Sequence, residues 1–170
     1  MRKKIASLKF VALNYDSSIE AERKFKYYQE ILVPKVYICR LYFLKGKSFI
    51  SEHREKPTTY LNISYGGNTV SLKDTTLCKN STNPEYYTSY DIVMELPGPS
   101  TVRVDVMEDY TLRKDRVLGY TEIDVESRYL TRNWHLLLKK PIELRNLYSD
   151  YGCGSQGRLE MWIDLIEKKY

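Results

Sequence analysis

The sequence contains little of the material from which metal centres and hydrolytic active sites are built. Its 170 residues include only two histidines, His53 and His135, and three cysteines, which stand far apart at Cys39, Cys78 and Cys153. Three distant cysteines indicate reduced thiols in a cytosolic setting, and neither a disulfide framework nor a zinc site. A nucleophile elbow, a phosphate-binding glycine loop and a helical metalloprotease motif are all missing. The sequence therefore predicts a protein that is not an enzyme and carries no cofactor.

Long hydrophobic runs are also missing. No stretch approaches the roughly 18 apolar residues that a membrane span requires, and the N-terminus lacks a small-residue cleavage site, so we expect this segment to be soluble. The 42% hydrophobic content suits one compact domain. The net charge of +5 is spread along the chain, which suits an anionic membrane surface or an acidic partner. Without a concentrated basic stripe, nucleic acid is not an expected partner, and no small-molecule substrate is expected.

The periodicity of the sequence changes at Pro34. Before it, the serine and glutamate of a capping box, Ser17 and Glu20, predict a helix over residues 18–31. We therefore expect residues 1–33 to be an N-terminal helical linker and residues 34–170 to be a separate domain. The alternative is a helix on a membrane surface, because the bases of residues 23–26 lie among aromatic side chains.

After Pro34, alternating and β-branched runs predict an all-β domain. The Gly66-Gly67 pair predicts a tight hairpin, because glycine reaches the positive φ angles that such turns require. A short helix is expected near residues 125–131. The short spacing of the turn signals predicts an eight-stranded antiparallel β-sandwich. The expected strands lie near residues 35–44, 59–65, 69–74, 87–96, 101–108, 118–125, 135–138 and 158–165.

The order of motifs along residues 36–166 resembles that of a C2 domain. The sequence runs through VYICRLYFL, TTYLNISYGG, NPEYY, VRVDVMEDY and RVLGYTEIDV. In that family the pair equivalent to Asn83-Pro84 turns the chain into the next strand, and an aromatic residue after it packs into the sandwich. Tyr86 and Tyr87 stand at that place. The resemblance implies two four-stranded sheets with loops gathered at one tip.

A narrower resemblance lies near the C-terminus. PIELRNL at residues 141–147, followed by SQGRLEMWID at residues 155–164, is similar to the end of ferlin C2 domains. In this resemblance Trp162 takes the place of a packed aromatic residue. The last strand, which begins at Gly157, resembles the strand that comes first in the other circular arrangement of C2 domains, and this implies the strand order called type II. Ferlins are large tail-anchored proteins with tandem C2 domains that act in membrane fusion and vesicle traffic, exocytosis among them. The resemblance implies one such module on the cytoplasmic side of a membrane.

The resemblance also locates the family's calcium positions, and most of them have lost their acids. Calcium-binding C2 domains carry five aspartates in two tip loops. Calcium needs six to eight oxygen ligands, several of them anionic, so we expect no metal at this tip. Asp109 and Asp115 each lie one residue away from a family position. The alternative is a shift of the loop that brings Asp115 into the site, so that the loop binds calcium. The residues at the five family positions are Glu52, Thr58, Glu108, Tyr110 and Arg116.

Other chemistry replaces calcium in the same loops. Bases stand beside apolar groups there, which predicts calcium-independent contact with acidic phospholipid. Two alternatives remain open: the charges of the second loop pair locally, or the sandwich packs on neighbouring domains of its parent protein. Lys73 and Lys79 are the only bases where the family has its second lipid site. The residues predicted to contact a membrane or partner are Phe49, Ile50, His53, Arg54, Lys56, Leu112, Arg113, Lys114 and Arg116.

Overall fold

The computed structural model describes residues 18–150 and 154–168. The chain divides into two units between Val33 and Pro34, and each unit is described by itself. In the first unit, helix α1 covers Ser18–Ile31, as the sequence predicts. Its Phe25 side chain is exposed. The capping serine, Ser17, lies outside the described residues.

The second unit is a β-sandwich, which confirms the predicted fold class. Hydrogen bonding orders one sheet as β4-β1-β8-β7 and the other as β3-β2-β5-β6, and all the pairings in both sheets are antiparallel. The strands are β1 (Lys35–Lys47), β2 (Thr59–Tyr65), β3 (Asn68–Ser71), β4 (Glu85–Leu96), β5 (Thr101–Glu108), β6 (Arg116–Asp124), β7 (Glu143–Asn146) and β8 (Arg158–Glu167). The short helices are α2 (Lys73–Thr76), α3 (Glu126–Tyr129) and α4 (Arg132–Leu136).

The core lies between the two sheets, where every second residue of a strand points inward. In β1 the inward side chains of Cys39, Leu41 and Phe43 are fully buried. Burial raises the pKa of the Cys39 thiol to about 12, so this cysteine is held as an inert thiol. Opposite β1, alternate residues of β5 face it from the second sheet, with Val102, Val104 and Val106 also fully buried.

The expected strand at residues 135–138 is wrong. Helix α4 includes Leu136, and the seventh strand is β7, Glu143–Asn146. The run of leucines resembles a buried strand, yet Leu136 and Leu138 are exposed. Residues 143–146 form a strand instead because they pair with β8. Glu143 of β7 also forms a close ion pair with Arg128. Such a pairing between distant segments leaves no local sequence signal.

The aromatic residues of the two motifs differ in their packing. Trp162 lies in β8, half-buried, and its ring stacks on Tyr42 at 4.4 Å between centroids, in agreement with the predicted packed aromatic residue. Of the two tyrosines after Asn83-Pro84, only Tyr86 is buried. Its hydroxyl lies 3.2 Å from the Thr59 hydroxyl, whereas Tyr87 points to solvent.

Candidate functional site

The tip of the sandwich is formed by two connections, residues 48–58 between β1 and β2 and residues 109–115 between β5 and β6. The first connection is tied down by backbone hydrogen bonds from Phe49 N to Thr82 O, at 2.8 Å, and from Ile50 N to Gln156 O, at 3.1 Å. Asp109 N donates to Thr58 O at 2.8 Å, which joins the two connections to each other. Their side chains therefore face each other at one end of the sandwich.

A buried carboxylate and an arginine occupy the centre of the tip. Glu108, the last residue of β5, is fully buried, and its Oε1 accepts a hydrogen bond of 2.8 Å from the Ser51 hydroxyl. The Nε of Arg116, its partner in the β5–β6 register, lies 3.5 Å from Glu108 Oε2. The same guanidinium donates to Glu52 at 3.2 and 3.3 Å. One arginine thus joins an acid of the first connection to an acid at the end of β5.

Arg116 also contacts His53. Its Nη1 lies 3.1 Å from His53 Nε2. Arg116 is therefore held by tip residues through its two Nη atoms, whereas its buried Nε lies within ion-pair distance of Glu108 but makes no hydrogen bond with a described residue.

Lys73 forms a second ionic centre beside the first. Its ammonium lies 2.6 Å from Asp109 Oδ1 and 3.0 Å from Asp115 Oδ2. Asp115 also accepts hydrogen bonds of 2.9 Å from the Tyr60 hydroxyl and 2.9 Å from the Tyr110 amide. The two aspartates that stood out of phase in the sequence therefore meet around a lysine that the chain itself supplies.

The pKa shifts at this second centre follow from these contacts. Burial alone raises the pKa of Asp115, but the Tyr110 amide, the Lys73 ammonium and the Tyr60 hydroxyl together lower it below its ordinary value. The hydrogen bonds to Asp109 and then to Asp115 raise the pKa of the Lys73 ammonium. Burial, followed by the bond to Asp115, raises the pKa of Tyr60 to about 12. All three groups keep their ordinary charges near neutral pH.

The residues at the five positions where the family carries aspartates have different surroundings here. Glu52, Glu108 and Arg116 come together, as described. Thr58 is buried, and its hydroxyl accepts a hydrogen bond of 3.2 Å from the Asn80 amide. Tyr110 is buried beneath two arginines. Among residues 18–150 and 154–168, no three histidine, cysteine or carboxylate side chains are grouped so that they could hold a metal ion.

Phe49 is a predicted contact residue that the structure contradicts. Its side chain is 2% exposed, so it does not reach outward from the tip. Two glycines make room for the ring: a Cβ atom on Gly157, where φ is +120°, would lie 2.8 Å from Phe49 Cδ1, and one on Gly46 would also overlap the ring. The apolar groups that do project from the tip are Ile50, 57% exposed, and Leu112, 98% exposed.

Four further cations lie in the same two connections, and we call them the rim cations: Arg54, Lys56, Arg113 and Lys114. Lys56, Arg113 and Lys114 are exposed and Arg54 is half-buried. The guanidinium carbons of Arg54 and Arg113 lie 4.4 and 3.8 Å from the centroid of the Tyr110 ring. Within the described part of the chain, none of the four lies within ion-pair distance of a carboxylate.

Sequence reasoning placed the rim cations at the tip but missed the role of Lys73. Lys73 is 36 residues from Asp109 and 42 from Asp115. It begins α2, in a place where the sequence predicts the end of a strand. No local pattern links a lysine in one connection to aspartates in another. Only the packing of α2 beside the β5–β6 connection reveals the pair.

Comparison with known proteins agrees with this architecture. A family model described as C2 domain matches residues 35–137. Ferlin 2 of Toxoplasma gondii is 26% identical over 142 residues, which cover 79% of this chain and 10% of that protein. Myoferlin of Mus musculus is 26% identical over 101 residues, covering 59% of this chain and 5% of that protein. The chain therefore spans about a tenth or less of the length of these relatives.

Solved structures show the same fold. A single C2 domain of plant Extended Synaptotagmin 1 superposes with a TM-score of 0.62 at 10% identity, covering 80% of this chain and 98% of that one. A pair of C2 domains from Extended-Synaptotagmin 2 gives a TM-score of 0.61 at 15% identity, covering 98% of this chain and 48% of that one. With the family match extending over more than half of the sequence, this protein belongs to the C2 domain family, and its C2 domain is ferlin-like.

Proposed function

We propose that this C2 module binds acidic phospholipid membranes without calcium, through the rim cations and the exposed apolar groups between them. The observation that carries the proposal is the division of charge at the tip. Lys73 and Arg116 are paired with the tip acids, whereas the four rim cations have no carboxylate partner among the described residues. The charges of the second loop therefore do not all pair with each other, because Arg113 and Lys114 have no carboxylate partner among the described residues.

The energies favour a membrane as the partner. Each basic residue near an anionic leaflet contributes about 1 kcal/mol, so four of them contribute roughly 4 kcal/mol. Leu112, which precedes Arg113 in the chain, and Ile50 are exposed and would add apolar burial on contact with the bilayer. Among the described residues, no helix has the length and apolar character to span a bilayer.

Calcium independence rests on cations that the protein itself supplies. Arg116 lies among the acids of the first centre and Lys73 among those of the second, so a dication would have to displace both. A fixed charge within ~4 Å of a like charge costs on the order of 4 kcal/mol per unit charge at a surface dielectric. We therefore expect calcium to leave the melting temperature unchanged. A ligand at one hundred times its dissociation constant stabilises a protein by about 2.7 kcal/mol. A melting temperature that rises with calcium but not with magnesium would therefore contradict calcium independence.

In the cell we place this non-catalytic module on the cytoplasmic side of a membrane, within a larger tail-anchored, ferlin-like protein of vesicle traffic and fusion. The second candidate is packing against other domains of the parent protein. The observation in its favour is an apolar surface at the other end of the sandwich, where Leu136, Leu138 and Ile142 are exposed. Such a contact would be almost indifferent to salt, whereas docking through bases weakens as ionic strength rises.

The deciding experiment is co-sedimentation with phosphatidylcholine vesicles that contain phosphatidylserine, with and without calcium and across a salt series. We expect binding that does not need calcium and that falls with salt. Lys114→Glu should weaken binding by about 2 kcal/mol, roughly thirtyfold, because one unit of attraction becomes repulsion. Lys139→Glu is the matched control, since it makes the same charge change at the other end of the sandwich. Equal effects of the two variants, or no binding by the wild type at low salt, would defeat the proposal.

A further inference from the structure

The two sheets of the sandwich have four edge strands, β4 and β7 in one sheet and β3 and β6 in the other. Strands β3 and β7 are short, with four residues each. Strand β6 is partly covered, because Tyr120 exchanges two backbone hydrogen bonds of 2.8 Å with Tyr148, and Arg145 Nη2 donates to the Glu122 backbone oxygen at 2.7 Å. The remaining edge strand, β4, has 12 residues and is the longest of the four.

The outer side of β4 presents unpaired backbone groups. The N–H and C=O of one strand residue point to one side of the strand, and those of the next residue point to the other side. Because Lys168 N donates to Val36 O at 2.9 Å, the Val36 backbone faces β8 and the Tyr37 backbone faces β4. Tyr37 pairs with Met94, so the Met94 backbone faces β1. By alternation, the residues that face outward include Ser89, Asp91 and Val93. Within residues 18–150 and 154–168, no hydrogen bond reaches the backbone groups of these three.

Strand β4 also lacks most of the features that close the edges of sheets. Natural edge strands are commonly blocked by lysine, by proline or by a bulge. Strand β4 contains no lysine and no proline. Its register with β1 is unbroken from Thr88 to Leu96 and shifts only nearer the tip. Helix α2 packs beside β4, but no backbone hydrogen bond joins the two in the described structure. The edge is therefore open to pairing with a further strand.

The charge of β4 indicates which kind of strand would pair with it. Its charged residues are all acids, Glu85, Asp91 and Glu95. Arg40 neutralises Asp91 through two hydrogen bonds of 2.6 and 2.7 Å. No base of the described residues lies within ion-pair distance of Glu85 or Glu95. The strand is therefore negatively charged, which favours a basic partner. A second copy of β4 would bring the same acids to the edge, and like charges oppose such pairing.

We infer that the free edge of β4 binds an extended, basic segment of another polypeptide, which would add a strand to this sheet. Backbone hydrogen bonds to Ser89, Asp91 and Val93 would hold the segment in place. A lysine or arginine of the segment would lie beside Glu95. A β-branched residue would cover the Val93 side chain, which is 59% exposed. This surface is a sheet edge outside the two tip connections, so its partner does not compete with a membrane for the rim cations.

The first arm of the experiment adds the capped peptide KTVTVTVTK to the whole chain and follows amide hydrogen exchange by NMR. In the protein alone, the amides of Ser89, Asp91 and Val93 should exchange freely, whereas those of Tyr90 and Ile92 should be protected by β1. At about ten times the dissociation constant of the peptide, exchange of the three outward amides should slow roughly tenfold, because a bound amide exchanges only after release. Outward amides that are already protected in the protein alone, or that do not respond to about 1 mM peptide, would overturn the inference.

A variant of the peptide tests whether the contact is made by the backbone. Proline in place of the central valine removes a ladder donor and interrupts the strand. This peptide should not slow exchange at any of the three outward amides. Equal binding of the two peptides would overturn the inference, because it would show attraction between charges without strand pairing.

The second arm tests the charge of the partner. Glu95→Lys should weaken binding of the lysine peptide roughly fivefold and strengthen binding of the acidic peptide ETVTVTVTE by a similar factor, because it reverses one cross-strand charge pair. Glu122→Lys is the matched control, since it makes the same charge change on the partly covered edge strand β6 and should alter affinity less than about twofold. Melting curves establish that both variants are folded. Equal losses for the two variants would overturn the inference. Concentration-dependent dimers that protect the outward amides and exclude the peptide would also overturn it, because the occupant would then be a second copy.

Discussion

Two groups of cations at the tip differ in what lies beside them. Lys73 and Arg116, the paired cations, lie within ion-pair distance of carboxylates, among them the fully buried Glu108. At the rim, Arg54 and Arg113 lie over an aromatic ring, with no acid of the described chain beside them. We therefore expect the paired cations to contribute to folding and the rim cations to contact a partner. Each of the following changes tests that division, from the largest expected effect to the smallest.

The largest effect should come from the apolar pair Phe49 and Leu112. Phe49→Ala should lower the free energy of unfolding by about 3–5 kcal/mol, because it removes a buried ring from a tightly filled space. Leu112→Ala should change it by about 0.5 kcal/mol or less, because the side chain is exposed, but should weaken vesicle binding. Denaturant unfolding measures the free energy of unfolding of each variant, and co-sedimentation measures its binding to vesicles. If Phe49→Ala were fully stable and bound vesicles poorly, Phe49 would belong to the rim after all.

Removing a paired cation should have the next largest effect. Arg116→Met should lower the free energy of unfolding by about 3 kcal/mol, because it leaves the buried Glu108 without an opposite charge. Arg113→Met at the rim serves as the control and should stay within about 0.5 kcal/mol of the wild type. Adding Glu108→Gln to Arg116→Met should restore part of the loss. Equal costs for the two arginines would contradict the distinction between paired cations and rim cations.

The smallest effect concerns pH and Asp115. Its pKa is lower in the folded protein than its ordinary value of 3.8, so its contribution to stability is present above that value and is lost as pH falls through the folded pKa. Asp115→Asn should therefore cost roughly 1.5 kcal/mol near neutral pH, the value of a charged hydrogen bond. This difference from the wild type should shrink in acid. Melting curves across pH measure it.

The exposed Asp74 on α2 offers the control for this titration. Asp74→Asn should follow the wild type throughout the acid range, because the described structure gives that carboxylate no hydrogen bond or ion pair. A constant difference between Asp115→Asn and the wild type at every pH would show that the Lys73 centre does not hold Asp115 in its charged form.

Most of the fold could be predicted because its signals are local. The Gly66-Gly67 pair takes positive φ angles of 58° and 84° and makes the hairpin between β2 and β3. Alternation of inward and outward residues located the other long strands. The prediction went wrong at residues 135–138, where a run of leucines has the composition of a strand but no neighbouring strand in the described structure to pair with.

The candidate site could be predicted only in part. Sequence position alone put Glu52, Glu108 and Arg116 at the tip, because family spacing fixes which residues enter those loops. It did not show that Phe49 turns inward, because that depends on the space left by Gly46 and Gly157, the second of which lies in a distant segment. Nor did it show that Asp109 and Asp115 share one lysine.

The sequence by itself determined the β-sandwich, the C2 resemblance and the presence of both acids and bases in the tip loops. These follow from periodicity, turn chemistry and spacing, which depend only on the order of residues along the chain. Only the tertiary structure decided which base meets which acid. An ion pair depends on distances of a few ångströms between side chains from separate segments, and packing sets those distances. Packing thereby paired Lys73 and Arg116 with acids, and it left Arg54 and Arg113 over Tyr110 without an acid from the described residues.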